Sequence, residues 1–155
     1  MGLEVPAALQ SLASAGTALG ALAAWRKKAK GDGRALIGEL KDNLYYLDMV
    51  AEDGVALDAV VNKLSIAEYK RLSKEGYDFN TLKKKKIARY DSLMGTDLSS
   101  WSGKSTEDLI ESIFEKLNIL KIKFPHVAES SKYRWSVRVD NIRKRIWLLL
   151  KHVSD

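Results

Sequence analysis

The spacing of apolar residues in the C-terminal part of the chain is the feature that most limits its fold. In residues 131–153 the apolar side chains recur at alternating steps of four and three, the period of one helix face. They are Trp135, Val139, Ile142, Ile146, Leu149 and Val153. Residues 105–124 carry a similar apolar face with acidic residues in the first turn, where the helix dipole favours them. Helices of this kind must bury their apolar faces against one another, so the pattern predicts a helical bundle.

Composition supports one all-α domain. Hydrophobic residues make up 46% of the 155 residues and charged residues 30%, which is typical of a globular chain. Pro6 and Pro125 are the only prolines, and cysteine is absent, which excludes disulfides, thiolate metal sites and cysteine nucleophiles. We therefore predict a single domain over residues 1–155, in which 1–30 form an apolar N-terminal helix with a basic flank and 31–155 an amphipathic bundle.

Four main helices are expected in an antiparallel bundle, joined by short connecting helices. They are predicted over residues 6–30, 34–52, 105–124 and 131–153. The sequence "GDG" at 31–33 separates the first two, and Pro125 is expected to end the third. In "SIAE", Ser65 and Glu68 have the spacing of a capping box, which predicts that the Ser65 hydroxyl caps a short helix.

Enzyme motifs are weak in this sequence. "SGKST" at 102–106 resembles the end of a phosphate-binding loop, but Leu98 stands where that loop needs a glycine. We therefore predict a turn followed by a helix cap. His126 and His152 are far apart and lack a zinc-binding spacing, so we expect no metal site and no cofactor.

One catalytic pattern stays open as an alternative. Arg145 precedes His152 by seven residues, which places both on nearly the same face of the last predicted helix. This resembles the R-x4-6-H motif of HEPN domains, although Ile146 follows the arginine where active members usually have a polar residue. The resemblance implies an RNA-cleaving or RNA-binding helical dimer that uses Arg145 and His152. The other interpretation is a charged helix face, with the histidine placed favourably at the end of the helix dipole.

Positive charge is concentrated in three clusters within a chain of formal net charge +6. They are Arg26, Lys27, Lys28 and Lys30; Lys83 to Lys86 with Arg89; and Arg138, Arg143, Lys144, Arg145 and Lys151. Such clusters are typical of solvated surfaces, nucleic-acid binding or contact with an anionic membrane.

Residues 7–25 carry no charge, and as one helix they would extend roughly 29 Å, the thickness of a bilayer core. Gly16 and Gly20 form a GxxxG pair, which lets two helices approach closely in a membrane. The basic residues follow the segment rather than precede it, which is not the order of a secretory signal. However, the segment is rich in alanine, and its leucines lie on one side. We therefore expect it to be buried in the resting bundle.

An N-terminal Gly/Ala-rich apolar segment followed by amphipathic helices resembles the HeLo and Bell type of membrane-active domains, which are related in logic to the four-helix domain of MLKL. The resemblance implies an inhibited soluble form, triggered oligomerisation and membrane insertion of the N-terminal segment. The residues expected to contact core or lipid are Leu9, Leu12, Leu19, Leu22 and Trp25. Gly16 and Gly20 would pack helix on helix, and Arg26, Lys27, Lys28 and Lys30 would meet lipid phosphates.

The function predicted first is therefore a non-enzymatic helical module that self-associates and inserts into or permeabilises a membrane, in the manner of a bacterial cell-death or antiviral defence effector. Its expected partners are anionic lipid, further copies of the chain and a regulatory protein, with nucleic acid as an unspecific alternative. We expect it in the cytoplasm, with relocation to the inner face of the membrane. A protein-binding helical adaptor that uses the same N-terminal segment is a further alternative.

Overall fold

The computed structural model describes residues 5–12 and 16–155, and every regular element in these residues is helical. The predicted all-α fold class is confirmed. The α-helices are α1 (Thr17–Lys28), α2 (Gly31–Asp53), α3 (Leu57–Val60), α4 (Ala67–Lys74), α5 (Thr106–Val127) and α6 (Trp135–Ser154). Short 3-10 helices lie at Ala7–Leu12, Val61–Lys63, Phe79–Leu82, Asp91–Leu93, Ser99–Trp101 and Ser131–Tyr133.

Helix α6 is the centre of the bundle. Its residues 146–150 are all buried, and five consecutive residues cover the whole circumference of a helix. Helices α1, α2 and α5 and the 3-10 helix Ala7–Leu12 enclose it. The predicted apolar seam is confirmed, because its four middle residues are buried and its two end residues pack against the core.

One cation of α6 is buried outside the apolar seam, although the sequence placed it in a cluster typical of a solvated surface. The Arg143 side chain is only 3% exposed. Its Nε donates to Asp48 Oδ1 at 2.8 Å and its Nη2 donates to Glu52 Oε1 at 2.6 Å. Two carboxylates on α2 thus compensate a buried charge whose desolvation is otherwise unfavourable.

Helices α5 and α6 run antiparallel. Thr106, at the start of α5, lies 2.8 Å from the His152 ring near the end of α6. At the opposite end, the Phe124 and Trp135 rings meet edge to face with centroids 5.4 Å apart. Ser105 caps α5 through a capping box with Asp108, so the cap predicted after the "SGKST" turn is confirmed.

Two predicted helix boundaries are wrong by a few residues. Pro125 does not end α5, which continues to Val127, because a proline in the last turn disturbs few remaining hydrogen bonds. Helix α2 begins at Gly31, so the chain breaks at Ala29 and Lys30, which are extended, and not within "GDG". Gly33 is closely packed, since a Cβ there would lie 3.1 Å from Leu82 Cδ2, and the leucine side chain would have to shift slightly.

The predicted Ser65 capping box of α4 is also wrong. The amide of Glu68 donates to Glu39 Oε2 at 2.8 Å, and the amide of Tyr69 donates to Glu39 Oε1 at 3.0 Å. The Ser65 hydroxyl itself donates to Glu39 at 2.7 Å. Asn43 exchanges two further hydrogen bonds with the Ser65 backbone. A buried carboxylate from α2 therefore replaces the local cap, because a negative charge at a helix N-terminus binds more strongly than a hydroxyl.

We expect Glu39→Ala to lower the free energy of unfolding by about 2 kcal/mol, because it leaves two amides and a hydroxyl without their acceptor. Urea unfolding followed by circular dichroism measures this change. Glu129→Ala, at an exposed position, is the matched control and should stay within about 0.5 kcal/mol of the wild type. Equal effects of the two substitutions would contradict the capping role.

Candidate functional site

The apolar N-terminal segment consists of two short helices rather than one. The predicted continuous helix over residues 6–30 is wrong, because Ala7–Leu12 is a 3-10 helix and α1 begins at Thr17. Gly16 precedes α1 with φ +84°, a left-handed conformation that interrupts the helical path. Among the described residues, no helix is both long and apolar enough to cross a membrane.

The predicted burial of this segment in the resting bundle is confirmed for its described leucines. Leu9 and Leu22 are fully buried, and Leu12, Leu19 and Trp25 are half-buried against the same core. The first half packs on α6 and on Asp91–Leu93, and the second half packs mainly on α2. The amide of Ala8 also donates to Ser92 Oγ at 2.9 Å, which holds the first half on the bundle.

The two glycines predicted to pack helix on helix do not do so within this fold. Gly16 lies before α1, outside the helix, and both Gly16 and Gly20 are exposed. A Cβ built on either would meet no other described part of the protein within 4 Å, apart from adjacent residues and the helix's own backbone. Any close packing through these residues therefore involves another molecule or another conformation.

The predicted lipid-facing cations lie together at the end of α1. Arg26, Lys27 and Lys28 form its last turn, Lys30 follows, and all four are exposed. None of them forms an ion pair with a carboxylate of the described residues. The Arg26 guanidinium lies over Gly38 of α2, where a Cβ would come within 3.0 Å of Arg26 Nε. Within the described chain, this cluster is a patch of exposed positive charge without ion-pair partners.

His152, one of the two residues in the HEPN-like pattern, lies in the core of the bundle. Its ring is buried, and its Nε2 lies 2.8 Å from Thr106 Oγ1. The Thr106 hydroxyl gives its single proton to the Lys83 carbonyl at 2.6 Å, so His152 Nε2–H is the donor to Thr106. Burial, and next the nearby Lys83, lower the pKa of His152, so the ring is neutral at pH 7.

Arg145 lies away from His152, about 10 Å further back along α6. Its side chain is 12% exposed, and its Nη1 donates to the Asn141 carbonyl at 3.0 Å. Nη1 also lies 4.0 Å from a carboxylate oxygen of Asp97. Burial lowers the pKa of Arg145, and Asp97 opposes this effect. Within one chain, Arg145 and His152 therefore contact different groups.

Arg145 instead lines a pocket of about 110 Å³ between α5 and α6. Lys116, Arg138 and Asn141 contribute the other polar groups of this pocket, and aliphatic side chains form the rest of its wall. Burial lowers the pKa of Lys116, and repulsion by Arg145 and Arg138 lowers it further. Sequence reasoning grouped Arg138 with Arg145 but missed Lys116 and Asn141. The sequence could have indicated Asn141, because the spacing of positions 138, 141 and 145 places them on one helix face.

Comparisons with known proteins do not assign the chain to a family: no family model, curated protein or solved structure matches it. The resemblance to HeLo and Bell domains thus stays a prediction.

We expect His152→Gln to remove part of the pH dependence of stability. Because the unfolded chain takes up a proton on this ring more readily than the folded chain, the free energy of unfolding should fall as the pH drops below about 6.5. A glutamine amide can still donate to Thr106 but does not titrate. Thermal unfolding from about pH 7.5 to about pH 5.5 measures the difference.

The control for this experiment is His126→Gln, at an exposed histidine in the last turn of α5. It should retain the full decrease in stability towards low pH. If His152→Gln and the wild type lost the same stability over this range, the assignment of His152 as a buried neutral core residue would be wrong.

Proposed function

We propose that the protein is a non-enzymatic helical module that stores its apolar N-terminal segment in the bundle and acts when the segment is released. Once released, the segment self-associates and inserts into an anionic membrane from its cytoplasmic side. Such an activity would suit a cell-death or defence effector. The observation that carries this proposal is the interruption at Gly16, which allows both halves of a charge-free segment to bury their leucines.

The interruption gives the segment a second conformation without any change in covalent structure. With Gly16 in helical geometry, residues 6–28 could form one helix, and its charge-free part, 7–25, would extend roughly 29 Å, about the thickness of the hydrocarbon core. The resting fold opposes this change, because it would withdraw Leu9 or Leu22 from full burial. Removing a buried leucine from its core site costs roughly 2–3 kcal/mol, so release needs a partner or a surface that supplies this energy.

The charge next to the segment supports an anionic surface as that partner. The four cations at positions 26, 27, 28 and 30 are exposed and have no ion pairs among the described residues. Each lysine or arginine near an anionic leaflet contributes about 1 kcal/mol of attraction. The cluster directly follows the segment, so binding to lipid headgroups would hold the segment at the membrane surface.

Self-association is supported by the open surface at Gly20. This residue is helical in α1, it is exposed, and no atom lies within 4 Å of the position of its Cβ. Glycine in a helix interior is unfavourable by about 1 kcal/mol relative to alanine. A second helix that approaches closely at Gly20, and at Gly16 after release, would give both glycines a role that the resting fold lacks.

We expect Gly16→Ala to destabilise the resting fold by about 1 kcal/mol, because alanine is strained at φ +84° but favourable in a continuous helix. The released population should then rise about fivefold, and dye leakage from anionic liposomes should rise with it. Gly54→Ala is the matched control, since Gly54 has φ +70° and equally open surroundings at the end of α2. Equal leakage from both variants would assign the effect to general instability and contradict the proposal.

A reversible cross-link tests release directly, because the chain has no cysteine of its own. In the Gly16→Ala background, Ala8→Cys and Ser92→Cys join two positions that are in contact through a 2.9 Å hydrogen bond. We expect the oxidised protein to stop leaking dye and the reduced protein to recover full leakage. The Ser92→Cys variant alone, treated with the same oxidant, should leak in both states. Leakage from the cross-linked protein would show that residues 7–12 need not leave the bundle.

A further inference from the structure

The α5–α6 pocket lies outside the segment on which the proposed function depends, and its charge is not balanced. Arg145, Lys116 and Arg138 are three cations around about 110 Å³ of space. The carboxylate of Asp97, 4.0 Å from Arg145, is shared with Lys144, whose Nζ lies 3.8 Å from it. Asp140, on the same helix, is engaged by Arg143 at 3.4 Å. Glu115 acts on Lys116 more weakly than Arg145 and Arg138 do. The lining of the pocket contains no carboxylate among the described residues, so the pocket keeps an excess of positive charge.

One of the arginines that line this pocket is poorly compensated within the described residues. Arg145 Nε is buried and contacts no acceptor of the described chain. A buried charged donor without an acceptor is unfavourable, and such groups are rare in folded proteins. Burial also lowers the pKa of Arg145. An oxyanion in the pocket would place a negative charge beside this guanidinium.

The other polar groups are positioned to bind the same ligand. Arg138 donates from Nε to the Tyr133 carbonyl at 2.7 Å, and its guanidinium lies 5.5 Å from the Tyr133 ring centroid. These contacts hold the Arg138 guanidinium in place. In the described chain, its Nη groups have no hydrogen-bond acceptor. Lys116 is half-buried and forms no ion pair with a described carboxylate. Three cationic donors thus face one space from two helices.

We propose that this pocket binds a phosphate group, with the guanidinium groups of Arg145 and Arg138 and the ammonium group of Lys116 as its donors. A dianionic phosphate compensates more of the excess charge than a carboxylate does, and arginine forks match its oxygens. Ile119, Leu120 and Ile142 form the apolar part of the wall. Ile119 is 40% exposed, so an organic group esterified to the phosphate can leave the pocket along it. The phosphate belongs either to a soluble ester or to a lipid headgroup.

The site is tested on the full-length protein by NMR of the Arg145 Nε–H resonance and by thermal unfolding. Inorganic phosphate is titrated against chloride at equal ionic strength. We expect a saturable shift of that resonance and an increase in Tm with phosphate only. Arg145→Gln should bind phosphate at least tenfold more weakly, while Arg89→Gln, which removes an exposed cation elsewhere, should bind like the wild type. Absence of a phosphate-specific effect, or unchanged binding by Arg145→Gln, would overturn the proposal.

The stability of Arg145→Gln without phosphate distinguishes phosphate binding by Arg145 from a role in supporting the fold. Without phosphate, Arg145→Gln should be at least as stable as the wild type, because it removes a buried charge with an unpaired donor. Marked destabilisation in chloride would mean that Arg145 supports the fold, and would overturn the assignment. This test needs no membrane, so its failure leaves the release of the N-terminal segment untouched.

The source of the phosphate is decided by comparing liposomes that contain phosphatidic acid with soluble phosphate. The phosphate belongs to a lipid headgroup if Arg145→Gln weakens binding to these liposomes while a charge-neutral variant of positions 26–30 still binds them. Binding of inorganic phosphate without any Arg145-dependent binding to liposomes identifies a soluble ester. Both results support the site.

Discussion

The enclosure of α6 is the constraint on which the rest of the structure depends. Five consecutive buried residues, 146–150, require neighbours on every side of this helix, and α1, α2, α5 and the N-terminal 3-10 helix supply them. A helix in this position can carry polar groups only where a neighbour compensates them. Arg143 meets two carboxylates of α2, and His152 donates to Thr106 of α5. Arg145 Nε is the donor that the described chain leaves uncompensated.

The same constraint bears on the proposed release of the N-terminal segment. Leu9 and Leu22 are fully buried in the core, yet they belong to two short helices, the second of which follows a glycine in a left-handed conformation. Short helices have little stability of their own in water and depend on packing. The segment is therefore held by a small number of buried side chains rather than by a continuous helix, and a competing apolar environment could replace those contacts.

The positively charged side chains form two groups that differ in their exposure to water. The cluster at the end of α1 is exposed and surrounded by water, so its attraction to anions is long-ranged, weak for each residue and sensitive to salt. The charge in the α5–α6 pocket is partly desolvated, which makes each interaction stronger and more dependent on geometry. The first arrangement suits a surface, and the second suits one small group. From the sequence alone, neither group of cations could be distinguished from a solvated helix face.

The sequence by itself determined the elements whose signal is local. The apolar periodicity placed α2, α5 and α6, because a helix repeats its buried face every three to four residues whatever surrounds it, and Ser105 capped α5 from within its own first turn. The tertiary structure decided everything that depends on distant partners. Glu39 displaced the local cap of α4, α2 drew Arg143 inside, and α5 brought Lys116 to Arg145. The left-handed conformation of Gly16 was decided in the same way: an alanine-rich run favours a continuous helix, but in the fold Leu9 is buried in a 3-10 helix that packs on α6 and Asp91–Leu93, while Leu22 is buried in a helix that packs mainly on α2.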